Sequence, residues 1–310
     1  MIQENILESI GRTPIVRLGK LSPQGVGLYA KIEAMNPGGS VKDRMALAII
    51  QSAEKRGELR PGQMVVEATS GNTGISLAMV CAVRGYSFVA FMGDNFPVER
   101  RQIMAAYGAK VVLVPASLRA SGRISAARDF AAANGAYFSC QYENPDNPVC
   151  HEVTTGAEIL KAFDGRRLDW FVSGWGSGGT LTGVARAIHS ARPETQVVAA
   201  EPENASLLQR KPWRGHDIPG WAPDFVPVVL EESVINQFVS VSDTEAKLTA
   251  RRLAREEGIL CGISGGGAVA AAIRIAERGS PGDVILTIIP DTGERYLSTL
   301  AVNADQPVSA

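Results

Sequence analysis

The chain has 310 residues, with Lys+Arg 31 against Asp+Glu 32 and a net charge of -1. That balance leaves no basic excess to speak for nucleic acid, and the length allows one large or two medium domains around a substantial core. Apolar stretches are too short or too interrupted to cross a bilayer, and MIQENILESIGR lacks the features of a secretory leader, so a soluble cytoplasmic protein is expected.

In chain order, apolar runs alternate with helical patterns. Strands are expected at 26–34, 64–70, 86–93, 109–115, 170–174, 195–201 and 284–290. Helices are expected near 44–56, 72–84, 97–107, 122–134, 180–191, 243–257 and 266–278. Short apolar strands separated by amphipathic helices predict an α/β protein with largely parallel open sheets. No repeat, low-complexity tract or Ser/Gly linker divides the chain, so two domains are expected to interleave. The four cysteines, Cys81, Cys140, Cys150 and Cys261, form no C-x-x-C pair and are expected to be buried as small apolar side chains. Three histidines without ligand spacing give no expectation of a metal.

Five segments carry chemistry. In Asn36-Pro37-Gly38-Gly39-Ser40-Val41-Lys42-Asp43-Arg44, a turn runs into a helix, and Ser40 with Asp43 reads as a capping box. Lys42 then lies in the first helical turn, where the positive helix end and desolvation disfavour an ammonium. A neutral amine suits Schiff-base chemistry; an ordinary solvated lysine is the alternative. Thr69-Ser70-Gly71-Asn72-Thr73-Gly74 lies between a strand and a helix, a natural seat for a carboxylate or else a polar turn with a cap.

Gly174-Trp175-Gly176-Ser177-Gly178-Gly179-Thr180 also opens a helix and offers N–H groups and hydroxyls to a phosphate. Gly174, Gly176 and Gly179 satisfy G-x-G-x-x-G, and Glu201 ends the next strand, so an NAD-dependent dehydrogenase is a rival reading. The mid-chain position and the flanking hydroxyls weigh against it. Cys261-Gly262-Ile263-Ser264-Gly265-Gly266-Gly267 and Pro290-Asp291-Thr292-Gly293-Glu294-Arg295-Tyr296 sit where open α/β sheets hold ligands.

Together, NPGGSVKDR, EATSGNTGISLA, QYENPDNP, GWGSGGTLTGVAR and PDTGERYLST, in that order, are specific. The chain resembles the cysteine synthase (O-acetylserine sulfhydrylase) and cystathionine β-synthase family over nearly its whole length. The resemblance implies the tryptophan-synthase-β-like fold of type II pyridoxal-phosphate enzymes. It implies a larger cofactor-binding domain (1–35 and 146–310) and a smaller, mobile substrate-binding domain (36–145). By the same resemblance, Lys42 anchors pyridoxal 5'-phosphate and shuttles the α-proton, and Asn72 bonds the cofactor's ring oxygen. Gly176, Ser177, Gly178, Gly179 and Thr180 hold its phosphate, and Ser264 faces its pyridine nitrogen. Thr69, Ser70, Gly71, Thr73 and Gln141 bind the substrate carboxylate.

The implied reaction is β-replacement through an α-aminoacrylate, O-acetylserine and sulfide giving cysteine and acetate. O-phosphoserine, or serine or cysteine with homocysteine, are the alternatives. Implied partners are a small amino acid, sulfide or another small nucleophile, a second copy in a homodimer, and serine acetyltransferase. Trp175 and the loop Gly220-Trp221-Ala222-Pro223-Asp224-Phe225-Val226-Pro227 depart from the usual family text, Ala222 standing for a glycine. Trp175 either narrows the site's mouth or packs against a neighbour. Substrate choice is what these departures put in doubt.

Overall fold

A computed structural model describes residues 2–297 and 299. One sheet has six strands: β1 (Ile15–Arg17), β2 (Gly27–Ile32), β7 (Trp170–Gly174), β8 (Gln196–Pro202), β9 (Gln237–Val241) and β10 (Val284–Ile289). Their order is β1-β2-β10-β7-β8-β9, parallel throughout except for β1, which runs antiparallel to β2. A second, wholly parallel sheet has the order β5-β4-β3-β6, from β3 (Met64–Ala68), β4 (Ser87–Gly93), β5 (Lys110–Val114) and β6 (Tyr137–Phe138). The second sheet falls between β2 and β7 in sequence, so the two interleave as expected.

Side-chain alternation decides which face each strand gives to which helices. In β8, Val198 and Ala200 face the core shared with α9 (Ile263–Ala276), while Val197 and Ala199 face α7 (Gly179–Ala191). In the second sheet, Val65, Phe88 and Ala90 pack against α1 (Lys42–Arg56) and α2 (Asn72–Arg84). Val66, Ala68, Val89 and Phe91 pack against α4 (Arg119–Ala133). The remaining helices are α3 (Val98–Ala106), α5 (Asp146–Cys150), α6 (Ala157–Ala162) and α8 (Asp243–Glu257), with a π-helical turn at His151–Gly156.

The strands β1, β6 and β9 and the α5–α6 run were not predicted. β1 and β6 are too short to show a period, and β9 is a half-exposed edge strand. Asn-Pro and Thr-Thr-Gly masked the α5–α6 run. Cys81, Cys150 and Cys261 are buried as expected, but Cys140 is half-buried, with a left-handed backbone (φ 51). Among the described residues no helix is long and apolar enough to span a membrane, and no cluster of three potential metal ligands occurs.

Candidate active site

Lys42 begins α1 in the crevice between the sheets, beyond the ends of β2 and β10. The expected capping box does not form. Asp43 instead accepts from Gly38 N at 2.6 Å and from the Ser76 hydroxyl, and Ser40 Oγ accepts from Lys42 N at 3.3 Å. Burial raises the Asp43 carboxyl to about 6. Val41 N donates to Pro290 O at 2.8 Å, and Arg295 donates to Gly38 O, so the lysine's turn is tied to the six-stranded sheet. Burial lowers the pKa of the Lys42 amine, opposed by the charges of Asp291 and Glu33.

Lys42, Asn72, Gly176, Ser177, Gly178, Thr180 and Ser264 line one cavity. A second, contiguous cavity brings Ser70, Asn72, Thr73 and Gln141 to Lys42 and Ser177. Thr69 does not line either one. Its hydroxyl accepts from Gly71 N at 3.0 Å and Gly74 N at 3.1 Å, shaping the loop from behind. The N–H groups of Asn72 and Thr73, first in α2, are left open by the helix geometry. Thr73 Oγ1 donates to Gln141 Oε1 at 2.8 Å, and Gln141 Nε2 spends one hydrogen on Ala68 O at 3.2 Å, keeping a second. Asn72 is clamped on both sides: its Nδ2 donates to Asp291 Oδ2 at 2.7 Å and its Oδ1 accepts from Arg295 at 2.7 Å.

The glycines at the start of α7 are bare because the neighbours leave no room. A Cβ on Gly176 would strike Gly220 O, on Gly178 the Leu230 side chain, and on Gly179 the Asn147 amide. Gly178 is left-handed (φ 87), and the first N–H groups of α7 lack intrahelical partners. An anion seat, a lysine amine whose pKa burial lowers and the Ser264 hydroxyl, which has no protein partner among the described residues, thus face one cavity. That set fits a phosphorylated aldehyde with a ring nitrogen.

Three supporting residues escaped the sequence reading. Asn147 Nδ2 donates to Gln141 O at 2.8 Å and Ser177 Oγ at 3.0 Å, joining the segment at Gln141 to the glycine loop before α7. His151, in the π-turn, lies between Thr155 Oγ1 (2.8 Å) and Thr180 Oγ1 (3.3 Å), and burial pushes its pKa well down. Asp291 is fully buried behind Asn72, bonded also by the Tyr296 hydroxyl, with its Oδ1 unpartnered. Asn147 lies in the motif QYENPDNP and Asp291 in PDTGERY, but no motif signalled His151.

The geometry removes the dinucleotide reading. Gly174 is bare to admit the Trp221 indole, which also lies over Gly267. Glu201 is fully buried and accepts from Leu208 N at 2.9 Å and Gln209 Nε2 at 3.2 Å, so it offers nothing to a ribose. Trp175 is 2% exposed and packs among Leu208, Leu230 and Ala222, while also lining the cavity that Lys42 lines.

The sequence model of the family described as "Pyridoxal-phosphate dependent enzyme" matches residues 6–291. This chain belongs to the pyridoxal-phosphate-dependent enzymes. It is similar to O-ureido-L-serine synthase of Streptomyces lavendulae, 53% identical over 295 residues (95% of this chain, 91% of that protein). It is also similar to cysteine synthase of Staphylococcus aureus (strain Mu50 / ATCC 700699), 43% identical over 297 residues, 96% of each chain. The crystal structure of O-ureido-L-serine synthase superposes with a TM-score of 0.97 at 51% identity, covering 100% of this chain and 98% of that one. Pyridoxal phosphate is the cofactor, and the enzyme is of the cysteine-synthase-like kind that performs β-replacement on serine derivatives.

Outside the cavity lined by Lys42 and Ser264, and meeting it at Gly176, Pro219, Gly220 and Trp221, lies a broader vestibule of about 430 Å³. Its walls come from 95–123 on one side and from 213–224 on the other. Ala222, where the family text has glycine, holds a left-handed φ of 23. Its carbonyl accepts from Trp213 Nε1 at 3.1 Å and His216 Nε2 at 3.0 Å, and its N–H donates to Trp175 O at 2.9 Å.

Proposed function

We propose that this enzyme joins a nucleophile larger than sulfide, bearing carbonyl or carboxyl oxygens, to the β-carbon of an O-activated serine. O-acetylserine is the first donor to test and hydroxyurea the first nucleophile, with O-ureido-L-serine as the product. The vestibule carries this reading, because sulfide needs neither its volume nor its polar wall. The likeness to O-ureido-L-serine synthase, 53% against 43% for cysteine synthase, supports it. The second reading is cysteine synthesis from sulfide, favoured by the cysteine synthase relatives and by the intact loops around Lys42.

In this reading Lys42 holds the cofactor. Gly176 to Thr180 seat its phosphate, and Ser264 gives its ring nitrogen a neutral hydroxyl. When bound, the cofactor supplies the electron withdrawal that acidifies the substrate's Cα–H. Asn72 N, Thr73 N, the spare N–H of Gln141 and the Ser70 hydroxyl bind the substrate carboxylate and fix Cα beside Lys42 Nζ. Lys42 Nζ, whose hold on a proton is weakened by burial, takes the Cα proton. Acetate leaves Cβ with its bonding pair, the nucleophile's lone pair forms the new Cβ bond and its proton passes to solvent. Lys42 returns the proton to Cα.

The test is initial rate with O-acetylserine against hydroxyurea and against sulfide, with products identified by mass spectrometry. We expect O-ureido-L-serine, formed with the higher kcat/KM. Cysteine formed from sulfide, with hydroxyurea inert, would establish the second reading.

A further inference from the structure

The vestibule holds more positive charge than the chemistry above uses. Its wall carries Arg100, Arg119 and Arg123. Its two carboxylates are already engaged. Asp224 accepts from Ala120 N, Ser121 N and Ser121 Oγ, and Asp217 accepts from Lys247 Nζ at 2.8 Å. His216 is neutral in its contacts: Nε2 donates to Ala222 O, and Nδ1 accepts from Ile218 N.

None of the three guanidiniums has a carboxylate partner among the described residues. Arg119 is exposed and lies 4.9 Å from the Trp213 ring centre, on a left-handed backbone (φ 54). Arg123 is only 9% exposed and lies 5.3 Å from the Phe96 ring centre. Among the described residues it donates to no protein acceptor, and its Nε is buried without a partner there. Arg100 is 2% exposed, between Phe96 and Tyr296. It spends one N–H on Ser70 O at 2.6 Å, and its Nε is likewise unpartnered among the described residues.

A buried donor without an acceptor is destabilising, and more so when it is charged. Two such arginines around one open space are best explained by an acceptor that arrives from outside. Arginine's planar fork matches carboxylate and phosphate oxygens. The space also leads to the chemistry, since Ser70, Arg100, Tyr142 and Gly220 line both the vestibule and the substrate cavity.

We infer that Arg123, backed by Arg100 and Arg119, recognises an oxyanion on a reactant that enters through the vestibule. That oxyanion is either a carboxylate on the nucleophile or the phosphate of an O-phosphorylated donor. The inference rests on the β-replacement reading but not on its first reactant pair: neither hydroxyurea nor the acetyl group of O-acetylserine carries such an oxyanion, so an oxyanion-bearing reactant would rank ahead of them.

Two comparisons on the holoenzyme separate the sources. One pairs O-acetylserine with mercaptoacetate or with 2-mercaptoethanol, thiols of similar size that differ in charge. The other compares O-phosphoserine with O-acetylserine at a common thiol. In at least one arm the charged reactant should be favoured by roughly tenfold or more in kcat/KM, the yield of a charge-assisted bond. Arg123→Gln should bring that ratio near one, and Arg123→Lys should keep part of it. Such a ratio is unaffected by loss of folded protein. Separately, mercaptoacetate should quench the fluorescence of Trp213 and Trp221 saturably, and more weakly in Arg123→Gln. Ratios near one in both arms, or ratios unchanged in Arg123→Gln, would overturn the inference and leave β-replacement standing. Absence of turnover with every pair would sink β-replacement itself, and the fluorescence titration would then decide the oxyanion site alone.

Discussion

Glu67 is fully buried just before the loop 69–74. It accepts from Ala68 N at 2.8 Å, Ser139 Oγ at 2.7 Å and Gln141 N at 3.1 Å, and burial raises its carboxyl to about 7. A carboxyl raised above its unfolded value of 4.5 holds a proton that the unfolded chain releases, so stability falls as pH climbs from about 4.5 to about 7. Glu67→Gln removes this term. Urea unfolding should show the wild type losing on the order of 3 kcal/mol relative to the variant across that window. Parallel curves for the two proteins would refute the assignment. Single residues were unevenly legible in the sequence. Lys42, Ser177 and Ser264 announce themselves through flanking glycines and helix starts. Glu67, Asn147 and Asp291 act through partners 72, 30 and 219 positions away, which no local pattern reveals.

Helix α4 shows how an element borrows what its own sequence lacks. Its N-cap residue, Leu118, has no side-chain oxygen, and no local cap forms. Asp224, from the loop 220–227, accepts from Ala120 N and Ser121 N, both at 3.2 Å, and supplies the cap from the far side of the vestibule. Removing a cap costs about 1 kcal/mol. Asp224→Ala should therefore destabilise the protein by about that much and speed hydrogen exchange at the Ala120 and Ser121 amides; unchanged exchange would show that the contact holds nothing. The long periodic elements were read within a few residues, because alternation and heptad-like spacing are local. The start of α1 misled, because Ser40 and Asp43 have capping-box spacing but Asp43 is drawn to Gly38 and Ser76 instead.

On the scale of the whole molecule, a buried ion network fastens the lysine's helix to the six-stranded sheet. Arg44 pairs with Glu33 at 2.7 Å and with Glu158 at 2.8 Å, and Lys31 reaches Glu158 at 2.7 Å. These residues come from α1, the end of β2 and α6, so Lys42 stands on a frame built from distant parts of the chain. Interleaving of two sheets was readable from the absence of a linker, but strand order was not, since pairing depends on crossovers rather than on the strands' own text. The account turns on Lys42 as the group that holds the cofactor and moves the Cα proton. The most direct measurement is the absorbance of the holoenzyme as O-acetylserine and then a nucleophile are added, for wild type and for Lys42→Ala. In the wild type the visible band should move on the first addition and return on the second, while Lys42→Ala completes no such cycle. A wild-type band that does not move, or a Lys42→Ala protein that cycles as the wild type does, would contradict it.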